Sequence, residues 1–290
     1  MKDLTPNGLI IAAHGKRYDA ELPDGGISSC VTRGKKSELA CGDRVELKLT
    51  GPNEGVIENY LPRTSLLYRS DAYRKKLLAA NVTQIIIVLA AKPSYYPDLL
   101  DRCLVAAEAE AIRPLILLNK VDLPETGDAQ EKLKLYEQLG YAVLPLSGKQ
   151  DIAPLLPWLQ DQTSVLVGQS GMGKSTLVNT LLPAAQAHTR EISQALDSGK
   201  HTTTAARLYH INSSSHLIDS PGLQEFGLAH LTPDQIEYAF VEFRPYLGKC
   251  RFSNCRHLNE PDCALHAAVT GGNITQSRLL CYHRILDRPA

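Results

Sequence analysis

Residues 168–175 read Gly168-Gln169-Ser170-Gly171-Met172-Gly173-Lys174-Ser175. The apolar segment Ser164 to Val167 runs into this stretch, and a helix is expected to leave it from Lys174 to Leu182. A strand, a turn of the form G-x-x-x-x-G-K-[ST] and a helix, in that order, make a P-loop. Its glycines let successive backbone N–H groups turn inward around phosphate oxygens at a helix N-terminus. Gly168 to Thr176 are therefore the expected phosphate cradle, with Lys174 reaching the terminal phosphates and the Ser175 hydroxyl ligating Mg²⁺.

A P-loop alone does not choose among ATPases, kinases and GTPases, so the base-reading element decides. Upstream stands Asn119-Lys120-Val121-Asp122, directly after a strand expected to end at Leu118. A carboxylate at Asp122 can accept both N–H groups on the Watson–Crick edge of guanine, whereas adenine offers it a lone pair and no 2-amino group. Guanine is the expected base. One strand later Ser147-Gly148-Lys149 sits where a short loop gives backbone N–H groups to the guanine 6-oxygen, a weak signal taken alone.

Downstream, Asp219-Ser-Pro-Gly222 follows the apolar Leu217-Ile218 as a strand ending in a D-x-x-G turn. Asp219 is expected to hold Mg²⁺ through water and the Gly222 N–H to sense the γ-phosphate. Between these motifs lies Gly199-Lys-His201-Thr202-Thr203-Thr204, where a threonine ligates Mg²⁺ in the triphosphate state. Three adjacent threonines leave the ligand ambiguous; Thr203 is the choice and Thr204 the reserve. Many GTPases orient the attacking water with a glutamine after D-x-x-G, but Leu223 stands there and cannot hydrogen-bond water. His201 is the nearest side chain in sequence with suitable chemistry.

The order of the motifs matters as much as their presence. In ordinary GTPases the P-loop comes first, but here Asn119 and Ser147 precede Gly168. Such a site depends on loops at the carboxyl ends of parallel strands, so joining old termini and cutting elsewhere preserves it. The expected fold class is α/β, a circularly permuted P-loop GTPase domain.

On either side of it the texture changes. From Leu9 to about Leu61 short alternating segments, Leu9 to Ala13, Arg44 to Leu49 and Gly55 to Asn59, are broken by turn clusters such as Leu22-Pro23-Asp24-Gly25-Gly26, the pattern of a small all-β barrel. A basic stretch (Arg63, Arg69, Arg74, Lys75, Lys76) then leads to the apolar run from Gln84 to Ala90, a buried parallel strand. At the far end a helix is expected to start at Thr232-Pro233, and another near Thr275 to Leu286. Between them Cys250, Cys255, His257 and Cys263 offer three thiolates and an imidazole, the ligand set of a closed structural zinc site, although their spacing is not that of a common finger and free buried thiols are the competing reading. Cys281 lies too far along the chain to belong to the set.

A chain of 290 residues, 43% hydrophobic and 21% charged, reads as an ordinary globular protein of about two or three domains. With 31 basic and 31 acidic residues, no net charge speaks for or against nucleic acid. The longest strongly apolar run, Ile85 to Ala91, is too short to span a bilayer, and the N-terminus lacks the pattern of a signal peptide, so a cytoplasmic protein with reduced cysteines is expected.

Taken together, Asn119 to Asp122, Gly168 to Ser175, Gly199 to Thr204, Asp219 to Gly222 and Cys250 to Cys263 resemble the RsgA family, also called YjeQ or YloQ, across nearly the whole chain. Met172 is a small departure, valine being more usual there. The resemblance implies an OB-type β-barrel over residues 1–68, the permuted GTPase domain over 69–231 and a mainly helical zinc-binding module over 232–290. It implies GTP and GDP as nucleotides with Mg²⁺, one Zn²⁺, and a catalytic role for His201 beside Lys174 and Thr203. It further implies that a cytoplasmic monomer grips the small ribosomal subunit and its rRNA through barrel and zinc module, and that hydrolysis accompanies late subunit maturation or release. Arg33, Lys35, Lys36, Arg251 and Arg256 are the expected phosphate contacts. The alternative is a nucleotide-switched GTPase that binds RNA or protein away from the ribosome.

Overall fold

The computed structural model describes residues 7–33, 39–71, 74–182, 206–219 and 227–287. Five strands open the chain: β1 (Gly8–His14), β2 (Arg17–Glu21), β3 (Ile27–Thr32), β4 (Arg44–Gly51) and β5 (Glu54–Tyr60). They pair in the order β1-β2-β3-β5-β4, and β4 returns to β1, so the sheet closes into a barrel. The β3–β5 pairing is parallel and the others antiparallel. Alternate residues point inward, and Ile10, Tyr18, Ala20, Cys30, Val45, Leu47 and Ile57 fill the interior.

The basic stretch after the barrel forms a hairpin, β6 (Leu66–Asp71) with β7 (Arg74–Ala80), which the alternation of the sequence did not announce. Leu67, Leu78 and Ala79 join the main core.

The second sheet holds β8 (Gln84–Ala90), β9 (Arg113–Asn119), β10 (Ala142–Pro145), β11 (Thr163–Val167), β12 (Arg207–His210) and β13 (His216–Asp219) in the order β10-β9-β8-β11-β13-β12. All its pairings are parallel except β12 with β13. Every residue of β8 is buried, because neighbours flank it on both sides and helices cover both faces. Ile85, Ile87 and Leu89 face α1 (Pro97–Ala109). Ile86 and Val88 face α4 (Lys174–Leu181) and α3 (Leu156–Leu159), while α2 (Thr126–Gln138) adds Leu133 and Tyr136 to the first face. Those one-residue alternations are what a continuous apolar run becomes in a two-sided sheet.

The C-terminal segment folds as α5 (Pro233–Ala239), α6 (Ala264–Thr270) and α7 (Gln276–Asp287). Thr232 caps α5 with a complete capping box to Gln235, as the Thr-Pro start predicts. Phe240, Phe243 and Tyr282 pack edge and face together beneath this module. Arg278 of α7 is 2% exposed and is gripped by Asp101 of α1 and by Glu242, with the Tyr136 hydroxyl donating to the same Asp101 over 2.8 Å. A buried arginine keeps its charge and is tolerated only where its donors are satisfied, and here two carboxylates satisfy it. Arg284 pairs with Asp98, a second clamp of α7 onto α1. No helix among the described residues is long and apolar enough to cross a membrane.

Candidate nucleotide site and metal centre

Four loops converge at the carboxyl ends of the parallel strands β9, β10, β11 and β13, which is where an open α/β sheet places its ligand. The P-loop leaves β11 at Val167, the Asn119–Asp122 segment leaves β9, Ser147 to Lys149 follow β10, and β13 ends in Asp219.

Asn119 ties three of these loops together. Its side chain is 3% exposed; the amide nitrogen donates to the Met172 carbonyl and the amide oxygen accepts from the Gly148 N–H, both over 2.9 Å. Lys120, at a positive φ of 62°, turns its ammonium the other way, to the Lys92 carbonyl at 2.9 Å and the Gly171 carbonyl at 2.6 Å. Asp122 is left exposed at the rim. Its carboxyl lies below the ordinary aspartate value, first because the Ser147 hydroxyl stands beside it, then through its own backbone N–H, with Lys149 and Lys120 adding positive charge. The Ser147 hydroxyl is buried and has no other partner among the described residues, which leaves it to Asp122.

In the P-loop, Gly173 has a φ of 95°, and a Cβ there would lie 2.3 Å from the Asn119 amide nitrogen. At Gly168 a Cβ would lie 2.3 Å from the Val88 carbonyl. Both positions admit only glycine, which is how the turn brings its amides together. Met172 is fully buried among Val88, Leu117, Leu146 and Leu177, filling the apolar niche expected of it. The Gln169 side chain accepts the Tyr96 N–H at 2.9 Å, fastening the loop to the start of α1. Ser175 and Thr176 are exposed on the open side.

Lys174 donates to the Gly168 carbonyl at 2.5 Å and the Gln169 carbonyl at 2.9 Å, curled inside its own loop. Burial lowers its pKa and Asp219 opposes that shift. Asp219 mirrors it: burial raises the carboxyl pKa while Lys174 pulls it down. A half-buried ammonium and carboxylate facing one cleft are a site for phosphate and cation, since a ligand can replace what each lost in hydration. Thr202, Thr203, Thr204, His201 and Gly222 lie outside the described residues.

In the C-terminal module the ligand atoms of Cys250, Cys255, His257 and Cys263 all lie within 4.8 Å of one another. His257 Nδ1 faces the three sulfurs at 3.5, 3.6 and 3.3 Å. Three thiols converging on one imidazole nitrogen fit one zinc ion, and Cys281 is buried elsewhere in the core. The Glu260 carboxylate shapes the turn by accepting the N–H groups of Arg256, Leu258 and Asn259, which pulls its pKa down to about 2. One contact has no signal in the sequence: His257 Nε2 meets Glu237 of α5 at 3.0 Å. Burial works against a charged His257, but Glu237 and Cys263 outweigh it and push the pKa up to about 9. Burial pushes Cys255 up to about 12.

The model of the RsgA GTPase family matches residues 60–229. The chain belongs to the RsgA GTPase family. Family members are GTP hydrolases, so the nucleotide is a guanine nucleotide. The small ribosomal subunit biogenesis GTPase RsgA of Nitrosomonas europaea is 52% identical, covering 96% of this chain and 90% of that one. Its counterpart in Neisseria gonorrhoeae is also 52% identical, over 96% of this chain and 91% of its own length. Among solved structures, YjeQ from Thermotoga maritima superposes with a TM-score of 0.74 at 29% identity over 97% of both chains. YloQ, described as a circularly permuted GTPase, gives 0.71 at 29% identity over 98% of this chain and 95% of its own. The permuted order, the OB-type barrel and the Cys₃His cluster are thus the architecture of an RsgA-type GTPase.

Proposed function

We propose that the chain hydrolyses GTP on the small ribosomal subunit, assists the subunit's late maturation, and couples subunit-stimulated hydrolysis to its own release. The ribosomal reading is supported by relatives that are 52% identical and named for small-subunit biogenesis. The nucleotide reading rests on Asn119, whose one side chain holds the base-side loops and the P-loop in register.

In this reading Asp122 accepts the guanine N1–H and 2-amino hydrogens, and the N–H groups of Ser147 to Lys149 meet the 6-oxygen. Gly168 to Thr176 wrap the phosphates, and Lys174 leaves the Gly168 and Gln169 carbonyls for the β- and γ-phosphate oxygens. Magnesium, when bound, neutralises charge on those oxygens. Ser175, Asp219 and Thr203 are the residues to hold it, the Gly222 N–H senses the γ-phosphate, and His201 orients the attacking water. Cys250, Cys255, His257 and Cys263 hold one structural zinc. The barrel (1–68) and zinc module (232–290) grip rRNA on either side of the GTPase domain (69–231), with Arg33, Lys35, Lys36, Arg251 and Arg256 meeting phosphates; Arg33 and Arg251 are exposed and paired with Glu58 and Asp262, and Lys35 and Lys36 lie outside the described residues. The protein works as a cytoplasmic monomer without a membrane partner.

Co-sedimentation tests this reading. Small subunits should carry the protein down with a non-hydrolysable GTP analogue and much less with GDP, and should raise turnover. Equal pelleting with both nucleotides and an unchanged rate would refute it.

A further inference from the structure

The barrel and the GTPase sheet meet along β1 and β12, where strand pairing is reduced to one register pair, Ala12 opposite Arg207. The barrel is held besides by the Ala80 N–H donating to the Cys41 carbonyl and by the Asn81 amide donating to the Gly42 carbonyl. A further attachment, to the other end of the β12–β13 hairpin, is made by side chains. There His210 stands opposite His216, with the two Nδ1 atoms 2.9 Å apart and the rings edge to face at 82°. His210 Nε2 lies 2.7 Å from the carboxylate of Glu21, the last residue of β2. With both rings neutral, His216 Nδ1–H donates to His210 Nδ1 and His210 Nε2–H donates to Glu21. A protonated His210 donates at both nitrogens and His216 accepts instead. Both arrangements leave the chain of contacts whole.

A cavity of about 590 Å³ lies between the two bodies at this end, walled by Leu22, Gly42 and Arg44 of the barrel region, by Asn81, and by His210 and His216 of the hairpin. The other end of the same hairpin reaches the nucleotide site: Arg207 is in register with Asp219, three residues beyond His216.

We propose that Glu21, His210 and His216 form a latch that positions the barrel against the GTPase sheet, so that a load on the barrel reaches Asp219 through the β12–β13 hairpin. With the latch closed, rotation of the barrel carries both ends of β12 with it. With the latch open, a load on β2 no longer reaches the far end of β12, and the barrel keeps its anchors at Ala12, Cys41 and Gly42. Applied to subunit-stimulated hydrolysis, the latch rests on the proposed function; as a mechanical contact it does not.

Two measurements on the full chain separate these. Hydrogen exchange over residues 207–210 should quicken in Glu21→Ala and stay near wild type in Glu21→Gln, which keeps an oxygen for His210. Unchanged exchange in Glu21→Ala would overturn the latch. Glu21→Ala and His210→Ala should keep GTP affinity, basal turnover and subunit pelleting, yet lose about tenfold of the stimulated kcat, within the range of ordinary intersite coupling. Glu21→Gln should recover most of it. Full stimulation in both alanine variants would overturn the coupling, and loss of pelleting in Glu21→Ala and Glu21→Gln alike would make Glu21 a subunit contact instead. Wild-type turnover that ignores small subunits would refute the proposed function, with the exchange result still deciding the latch.

Discussion

Asn119→Ala removes a side chain whose two hydrogen bonds, to the Met172 carbonyl and from the Gly148 N–H, are each 2.9 Å long. The alanine methyl reaches neither group, so one carbonyl and one amide lose their partners within a nearly closed pocket. An unsatisfied buried polar group costs ~1–3 kcal/mol. Water can enter from the nucleotide cleft, so the low end applies to each, and the two losses come to about 2 kcal/mol, or about 30-fold in a binding constant. The loss falls mainly on nucleotide affinity, because free loops can relax whereas bound ones must align. GTP and GDP should weaken equally, since the lost contacts lie on neither the base edge nor the γ-phosphate side. Calorimetric titration with GDP and a non-hydrolysable GTP analogue measures this, with the melting temperature followed in parallel. Asn119→Asp keeps an acceptor for Gly148 but turns a carboxylate toward the Met172 carbonyl, so it should bind no better than the alanine variant. Affinities within threefold of wild type for both nucleotides, at an unchanged melting temperature, would refute the role given to Asn119.

Asp122→Asn should exchange guanine for xanthine preference, because the new amide donates to the xanthine 2-oxo group; unchanged GTP affinity with no gain for XTP removes Asp122 from the base site. Glu237→Ala should speed zinc loss to a chelator, weakening the site about 10–100-fold as loss of a carboxylate behind a ligating histidine does, whereas Glu237→Gln should retain more; equal retention in all three proteins contradicts the pairing with His257. Cys255→Ala should open the C-terminal segment to protease while GTP binding persists, because zinc binding at such a site is folding energy; a protected segment in metal-free protein argues against a structural zinc. His201→Ala on saturating small subunits should lose at least ~10²-fold in single-turnover hydrolysis, the low end for a positioned proton-transfer group, with GTP affinity nearly unchanged; full stimulation clears His201.

The elements visible in the sequence are those with local causes. The β8 run is apolar from Ile85 to Ala90 because it is buried on both faces, and the P-loop glycines Gly168 and Gly173 are fixed by contacts with Val88 and Asn119 that only glycine tolerates. Thr232-Pro233 starts α5 by capping chemistry alone. What stayed hidden depends on distant residues. The β6–β7 hairpin reads as a basic stretch because its charged middle masks the apolar ends, Leu67 and Leu78 to Ala79, that join the core. Arg278 and Asp101 are 177 residues apart, and no periodicity marks an arginine for the interior. Glu237 lies 20 residues before His257 on another element, so nothing about its neighbours announces a partner for the imidazole.

The permutation explains why the site was nonetheless legible while its supports were not. A loop at the carboxyl end of a parallel strand keeps its position whichever strand comes first, so each motif carries its own geometry and can be read one at a time. The supports carry no such local record. Asn119 precedes Met172 by 53 residues and acts on it only because β9 and β11 flank β8 in the folded sheet. In a GTPase with the usual order the base-side loop would come after the P-loop, yet the same two strands would flank the same third one. Cutting the chain elsewhere therefore costs the nucleotide site nothing. It does leave β8 as the first strand of the sheet, directly after the barrel and hairpin, while β12 sits at the sheet's edge against β1. The barrel is thus joined to the GTPase sheet covalently through the segment before β8, by pairing at β12, and by side chains at Glu21 and His210. A load on the barrel reaches the far end of β12 only through side chains, which is why Glu21 and His210, neither of them in a nucleotide motif, are where the coupling of barrel to Asp219 is to be sought.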